Sequence, residues 1–318
     1  MFKYFKLVRL QTLLFIAVMQ LMIRRFVVLT ILYTDSIHPI NSFFNVVLLV
    51  LATTLIAAGA FIIRDYFNIK TDKINTPATL LIGSSISKRQ AMYLYQISTF
   101  IGLACGLLLS WQVHSMSLAL IFILVPGLLW FYAASYKRQC LVGNVILALS
   151  AALSILIVLL AEFAYLQTLA NWHIDGLLYR QAFAWVGVIT VFTFFVVLIL
   201  AIVHDISNIQ GDKEMEYRTM PIVWGIHTAK FIAIALVVFS IFSILYLDFK
   251  YNPFTGNLIT QYLVVGIVLP FAWFIYLMIK AKYRSDYKRI LKVIRLIMVI
   301  VLLFAPFFYL LHSLSLRI

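Results

Sequence analysis

The chain is dominated by apolar runs of about 20 residues, almost free of charge, that recur from one end to the other. A run of that length crosses the hydrocarbon core of a bilayer as an α-helix, because lipid offers backbone N–H and C=O groups no partners outside the segment. Of 318 residues, 64% are hydrophobic and only 11% charged, which departs far from the balance of a water-soluble domain. The runs predict helices near 10–33, 42–66, 91–111, 115–134, 141–163, 181–204, 228–247, 260–281 and 290–314. The expected fold is all-α, a polytopic bundle of nine transmembrane helices, with residues 1–318 as a single domain.

The net charge of +14 is explained by where the cations fall. With the amino terminus inside, one side collects Lys3, Lys6, Arg9, Arg64, Lys70, Lys73, Lys88, Arg89, Lys137, Arg138, Lys213, Arg218, Lys230 and the run from Lys280 to Arg295. The other side keeps Arg24, Arg25, Arg180, Lys250 and Arg317. Lysine and arginine bias sets topology. The expectation is an integral protein of the bacterial inner (plasma) membrane, amino terminus cytoplasmic and carboxyl terminus outside, with no nucleic-acid partner. Lys3, Lys6 and Arg9 before an apolar run outline a signal peptide, but no small-residue cleavage site follows, so a retained first helix is expected. Cys105 and Cys140 suggest neither a disulfide framework nor a metal site.

Two polar stretches, 64–90 and 204–228, fall on the cytoplasmic side and repeat one pattern. The first reads Asp65-Tyr-Phe-Asn68-Ile-Lys-Thr-Asp72-Lys73, the second Asp205-Ile-Ser-Asn208-Ile-Gln-Gly-Asp212-Lys213. Thr76-Pro77 and Gly83 follow the first, Thr219-Met220-Pro221 and Gly225 the second. A single Asp beyond a helix end is ordinarily an interfacial cap, but the whole spacing occurring twice on one side points to a shared task.

On a helix, positions i, i+3 and i+7 share a face, so Asp65, Asn68 and Asp72 converge, as do Asp205, Asn208 and Asp212. Two such faces opposed make an oxygen-rich cup suited to Mg²⁺, which keeps waters and recruits substrate phosphates. A diphosphate held through metal is the natural guest, with Lys137, Arg138 and Arg9 as candidate diphosphate-binding cations. If the diphosphate carries a hydrocarbon tail, the bundle supplies an apolar groove and the reaction is alkylation, the metal stabilising the leaving group. The basic run from Lys280 to Arg295 reads as a topology determinant or a lipid-headgroup contact, and His204 and His227 show no ligand spacing. Arg24 and Arg25 either snorkel or line a polar cavity.

These motifs resemble the UbiA superfamily of intramembrane prenyltransferases, over most of the chain. That family has nine transmembrane helices and two Asp-rich motifs, after helices two and six, on which the two stretches fall. Tyr132-Ala-Ala-Ser-Tyr-Lys137-Arg138 with Gly143-Asn144 looks like its central tyrosine and lysine motif. The resemblance implies Mg²⁺ held by Asp65, Asn68, Asp72, Asp205, Asn208 and Asp212, with Asp72 and Asp212 essential to catalysis. It also implies a prenyl diphosphate donor and an aromatic or lipid acceptor, such as a quinone precursor or a glycerophosphate-type lipid.

Arg64, Asn68 and Asn208 stand where the family usually has Asn, Asp and Asp. Thr12 stands in the place of an Asn, and Thr79 in that of a basic residue. Each motif thus lacks a carboxylate, and Arg64 becomes a further candidate diphosphate contact. A relative that binds an isoprenoid or lipid without turnover is the alternative these departures raise. Transport ranks last, because the acidic residues cluster at one membrane face.

Overall fold

The computed structural model describes residues 2–32, 43–77, 80–168, 176–251 and 258–315, and Thr79 and Arg317 lie outside them. Among the described residues, nine helices are long and apolar enough to cross a membrane. They are α1 (Leu10–Leu32), α2 (Phe43–Phe67), α4 (Lys88–Gln112), α5 (Met116–Ala134), α6 (Val142–Gln167), α7 (Gly176–Glu214), α8 (Ile226–Tyr246), α9 (Leu258–Lys280) and α10 (Arg284–Leu311). A short helix, α3 (Ile69–Asn75), follows α2. No strand forms among the described residues, only an isolated bridge between Ile82 and Ile86. The all-α bundle expected from the sequence is therefore observed.

The helices are apolar on their outer surface as well as inside. Phe100, Trp111, Phe231 and Phe242 are each more than 70% exposed, an arrangement that only lipid tolerates on this scale. Helices meet through small residues: Gly102 of α4 lies so close to α2 that a Cβ there would touch the Ile56 backbone nitrogen at 3.0 Å. Two single π-turns interrupt the spans, at Arg24–Val28 in α1 and Val264–Val268 in α9. The second has a local cause, because Pro270 just beyond it has no N–H for the regular ladder.

The buried polar centre of the membrane region is an ion pair. Arg24, at the start of the α1 π-turn, meets Glu162 of α6 at 3.1 Å, and Glu162 is only 1% exposed. Arg24 therefore neither snorkels nor faces open water. Beside it, Gln20 donates to the Ser154 carbonyl at 2.7 Å and accepts from the Thr53 hydroxyl at 2.9 Å.

Most boundaries fall within a few residues of expectation, with two exceptions at the end that carries the motifs. Helix α7 was expected to stop near 204 but runs to Glu214, so the second Asp-bearing stretch is helical throughout. The last helix begins at Arg284 rather than 290, which places most of the basic run on its first turns. The first stretch is instead broken at Asn68 (φ −98°, ψ 9°), where α2 gives way to α3. Both repeats then end on a glycine in the left-handed region, Gly83 at φ 89° and Gly225 at φ 85°, a conformation that explains why glycine recurs there.

Candidate active site

The two repeats are joined by Asn75. Its amide nitrogen donates to the Asn208 carbonyl at 3.1 Å, and its Oδ1 accepts the Gly211 backbone N–H at 3.1 Å. The contact requires glycine, because a Cβ at 211 would lie 2.5 Å from the Asn75 amide nitrogen. A second strut connects Thr71, whose hydroxyl donates to the Tyr217 hydroxyl at 3.2 Å. Both Thr71 and Asn75 are buried, so the α3 to α7 junction is packed and not a solvated loop.

Held this way, the acidic residues of both repeats act on the same cations. The charges that act on Lys137 are those of Arg64, Asp212, Asp72 and Asp205. Those acting on Asp72 are Lys137, Asp65, Arg64 and Arg9. Asp65 is engaged by Arg9 at 2.8 Å, and Arg9 can reach it because its backbone turns left-handed (φ 53°) just before α1. Asp205 accepts the Asn144 amide at 2.8 Å. The carboxylates of Asp72 and Asp212 accept no hydrogen bond among the described residues, which leaves four oxygens for an incoming ligand.

The electrostatics follow from burial. Desolvation holds Lys137 down at about 8, with Arg64 adding to the fall and the three carboxylates opposing it. Burial raises the Asp72 carboxyl above the usual range, while Lys137 pulls it back. Burial and Arg64 lower Arg9, against Asp65 and Asp72.

Not every expected residue joins the cup. Arg138 lies over the Tyr217 ring at 5.1 Å and lines a cavity of about 380 Å³ with Lys70 and Lys88. Asn68 turns its amide nitrogen back onto the Arg64 carbonyl at 2.7 Å. The Asn208 amide is engaged elsewhere: its Oδ1 accepts from Arg284 Nη2 at 3.3 Å, and its nitrogen faces His204 Nδ1 at 3.0 Å. Arg64 reaches toward His204 Nε2 at 3.4 Å, and its Nε is buried without a partner.

Four participants were not singled out as site residues by sequence reasoning: His204, Asn75, Asn144 and Arg284. His204 precedes Asp205 and lies one helical turn from Asn208, a spacing that would have flagged it once α7 was known to continue. Arg284 was one cation among many in a basic run. Asn144 was visible only through the family resemblance.

Among the described residues, no three His, Cys, Asp or Glu side chains lie close enough to hold a metal ion by themselves. The donor chemistry nevertheless fits Mg²⁺, which is commonly bound by one or two carboxylates with water and substrate phosphate completing its shell.

A model of the UbiA prenyltransferase family matches residues 26–303. Digeranylgeranylglyceryl phosphate synthase from Sulfurisphaera tokodaii is 30% identical over 228 residues, covering 71% of this chain and 75% of that protein. The protein of the same name from Saccharolobus solfataricus is 31% identical over 229 residues, covering 71% and 72%. A solved structure described for digeranylgeranylglyceryl phosphate synthase in membranes superposes with a TM-score of 0.62 at 20% identity, covering 98% of this chain and 97% of that one. A UbiA homolog from Archaeoglobus fulgidus bound to GPP and Mg²⁺ gives 0.60 at 14% identity, covering 96% and 99%. The structural likenesses carry the fold, and the sequence matches carry the lineage: this integral membrane protein belongs to the UbiA prenyltransferase family.

Proposed function

We propose that the protein transfers an isoprenoid chain from a prenyl diphosphate to the hydroxyl of a glycerophosphate-type lipid, with Mg²⁺, on the cytoplasmic side of the membrane. The observation that carries this reading is that Asp72 and Asp212, one from each repeat, both act on Lys137, and that neither carboxylate accepts a hydrogen bond among the described residues. The names of the sequence relatives favour the glycerophosphate acceptor over the aromatic one. Those relatives are archaeal, so the expected bacterial inner membrane is widened to a prokaryotic plasma membrane.

In this reading Asp72 and Asp212, with Asp65 and Asp205 beside them, would hold Mg²⁺. Bound there, Mg²⁺ supplies Lewis-acid stabilisation of the diphosphate as it leaves. Arg9, Arg64 and Lys137 bind the diphosphate oxygens and orient the donor. The allylic C–O bond breaks with its electron pair going to diphosphate. The acceptor hydroxyl oxygen then forms the new C–O bond, and its proton passes to the departing diphosphate. Two rings lie among these groups, the buried Tyr132 near Arg64 and Phe61, on which Arg9 stacks at 5.1 Å, and a ring face turned to the donor would stabilise the allylic cation. Asn144 fixes the direction of Asp205, and Asn75 holds the two repeats in register.

The test is product analysis. Purified protein is given labelled prenyl diphosphates of several lengths, Mg²⁺, and either a glycerophosphate-type lipid or an aromatic acceptor. A prenyl ether of the lipid with release of diphosphate is expected. A prenylated aromatic product would move the acceptor assignment, and no transfer with any pair would overturn the enzyme reading in favour of binding without turnover.

A further inference from the structure

Beside the acidic cup, four side chains form a line that contains too few acceptors. Arg284 Nη2 donates to Asn208 Oδ1 at 3.3 Å, which fixes the amide so that its nitrogen points at His204. That nitrogen lies 3.0 Å from His204 Nδ1 and 3.2 Å from Nε2, and neutral histidine offers one acceptor nitrogen whichever tautomer is present. Arg64 Nη2 also lies 3.4 Å from Nε2, so two donors converge on a ring with a single acceptor. In addition, the Nε atoms of both Arg64 and Arg284 are buried with no partner. Buried donors without acceptors cost about 1–3 kcal/mol each, and more when charged, so several such groups around one turn of α7 call for a shared acceptor.

The donors themselves state the sign of that acceptor, since two of the three side chains carry guanidinium groups, and Arg64, Lys137, Arg9 and Arg295 are among the charges acting on His204. Arg284 is held in place by its own turn: Asp286 Oδ2 accepts the backbone N–H groups of Lys282 and Tyr283, each at 3.0 Å, at the start of α10. A compact anion with acceptor oxygens on several sides would satisfy Arg64 Nε, Arg64 Nη2, Arg284 Nε and the ring N–H of His204 together. Phosphate has that shape, and arginine forks match it.

We propose that Arg64, His204 and Arg284 form a second anion site, separate from the acidic cup, which takes the phosphate monoester of the acceptor lipid. The acceptor identity rests on the function proposed above, whereas the anion site rests on the hydrogen-bond count. Arg64 stands between the two sites, since Asp65, Asp72 and Asp205 act on it from the other side. It can therefore set the distance between the acceptor's headgroup and the leaving diphosphate.

The experiment is equilibrium binding to full-length protein in lipid nanodiscs, with neither donor nor Mg²⁺ present. A prenylated glycerol phosphate is compared with the same prenylated glycerol lacking phosphate, and with inorganic phosphate. The wild type is expected to prefer the phosphate-bearing lipid by about tenfold or more, given the strength of charge-assisted hydrogen bonds. Arg284→Gln is expected to lose that preference and Arg284→Lys to keep part of it, with donor affinity in the presence of Mg²⁺ unchanged in both. Equal binding of the two lipids by the wild type, or full preference in Arg284→Gln, overturns the site. Inorganic phosphate binding as tightly as the lipid, or a parallel loss of donor affinity, overturns the acceptor assignment. Should Arg284→Gln fail to fold, Arg284→Lys carries the same comparison. Because no turnover is measured, absence of prenyl transfer would overturn the proposed function without touching this result.

Discussion

Asn75 Oδ1 accepts the backbone N–H of Gly211, and this bond couples the short helix after the first Asp-bearing segment to the helix that carries the second. Gly211→Ala places a Cβ 2.5 Å from the Asn75 amide nitrogen in a packed junction. Alanine normally favours a helix over glycine by about 1 kcal/mol, so a stabilised variant is the ordinary expectation. Here the overpacking should dominate and cost about 1–3 kcal/mol. Thermal unfolding in detergent should show Gly211→Ala below wild type and Asn75→Ala/Gly211→Ala less affected than the sum of the singles; strict additivity would contradict the contact.

Lys137 makes donor binding pH-dependent. Burial and Arg64 hold its pKa at about 8, so its positive charge is present below that pH and lost as pH rises through it. A diphosphate binds the charged form, so donor affinity should weaken above about pH 8. Lys137→Arg stays charged there and should flatten the profile. Dissociation constants measured from about pH 6 to pH 10 check this, and an identical slope in Lys137→Arg would show that Lys137 does not contact the donor.

Asp72 makes Mg²⁺ binding depend on pH in the opposite sense. Its carboxyl is raised by burial, so protons compete with the metal and apparent Mg²⁺ affinity should climb as pH rises through the carboxylate range. Restoring a carboxylate with Asn68→Asp should tighten Mg²⁺ binding further. Titration calorimetry reads both, and unchanged affinity in Asn68→Asp would mean that this side chain does not reach the metal.

The nine spans could be read from apolar runs because lipid leaves a backbone no other solution, and the boundaries followed to within a few residues. The exceptions are informative. Residues 205–214 look like a loop on hydropathy, yet α7 continues through them because Asn75, Thr71 and their partners pack the polar helix against α3. The same blindness hid His204 and Arg284: one lies in a polar stretch, the other in a basic run, and only tertiary contact distinguishes them from neighbours of the same type. The spacing of Asp65, Asp72, Asp205 and Asp212 was legible because it repeats. What the repeat did not show is that Asn208 has been drawn away to Arg284.

The pair Arg24 and Glu162 tests the membrane-embedded part independently of the site. Removing one partner leaves a charge with no counterion where Glu162 is 1% exposed, which should cost about 3–5 kcal/mol in Glu162→Ala. The double change Arg24→Met/Glu162→Leu should recover most of that loss, since apolar pairs of similar volume often replace buried ion pairs without penalty. A double variant as unstable as Glu162→Ala would show that the pair's role is not mutual neutralisation.

Donor binding in a double-mutant cycle addresses the core of the account, that one diphosphate is held through both repeats at once. Binding of a labelled prenyl diphosphate in the presence of Mg²⁺ is measured for wild type, Asp72→Ala, Asp212→Ala and the double variant. Each single change is expected to weaken binding by about tenfold or more, and the double variant to be little worse than either single, because the two carboxylates serve one ligand. Strictly additive losses, or a single change without effect, would contradict it.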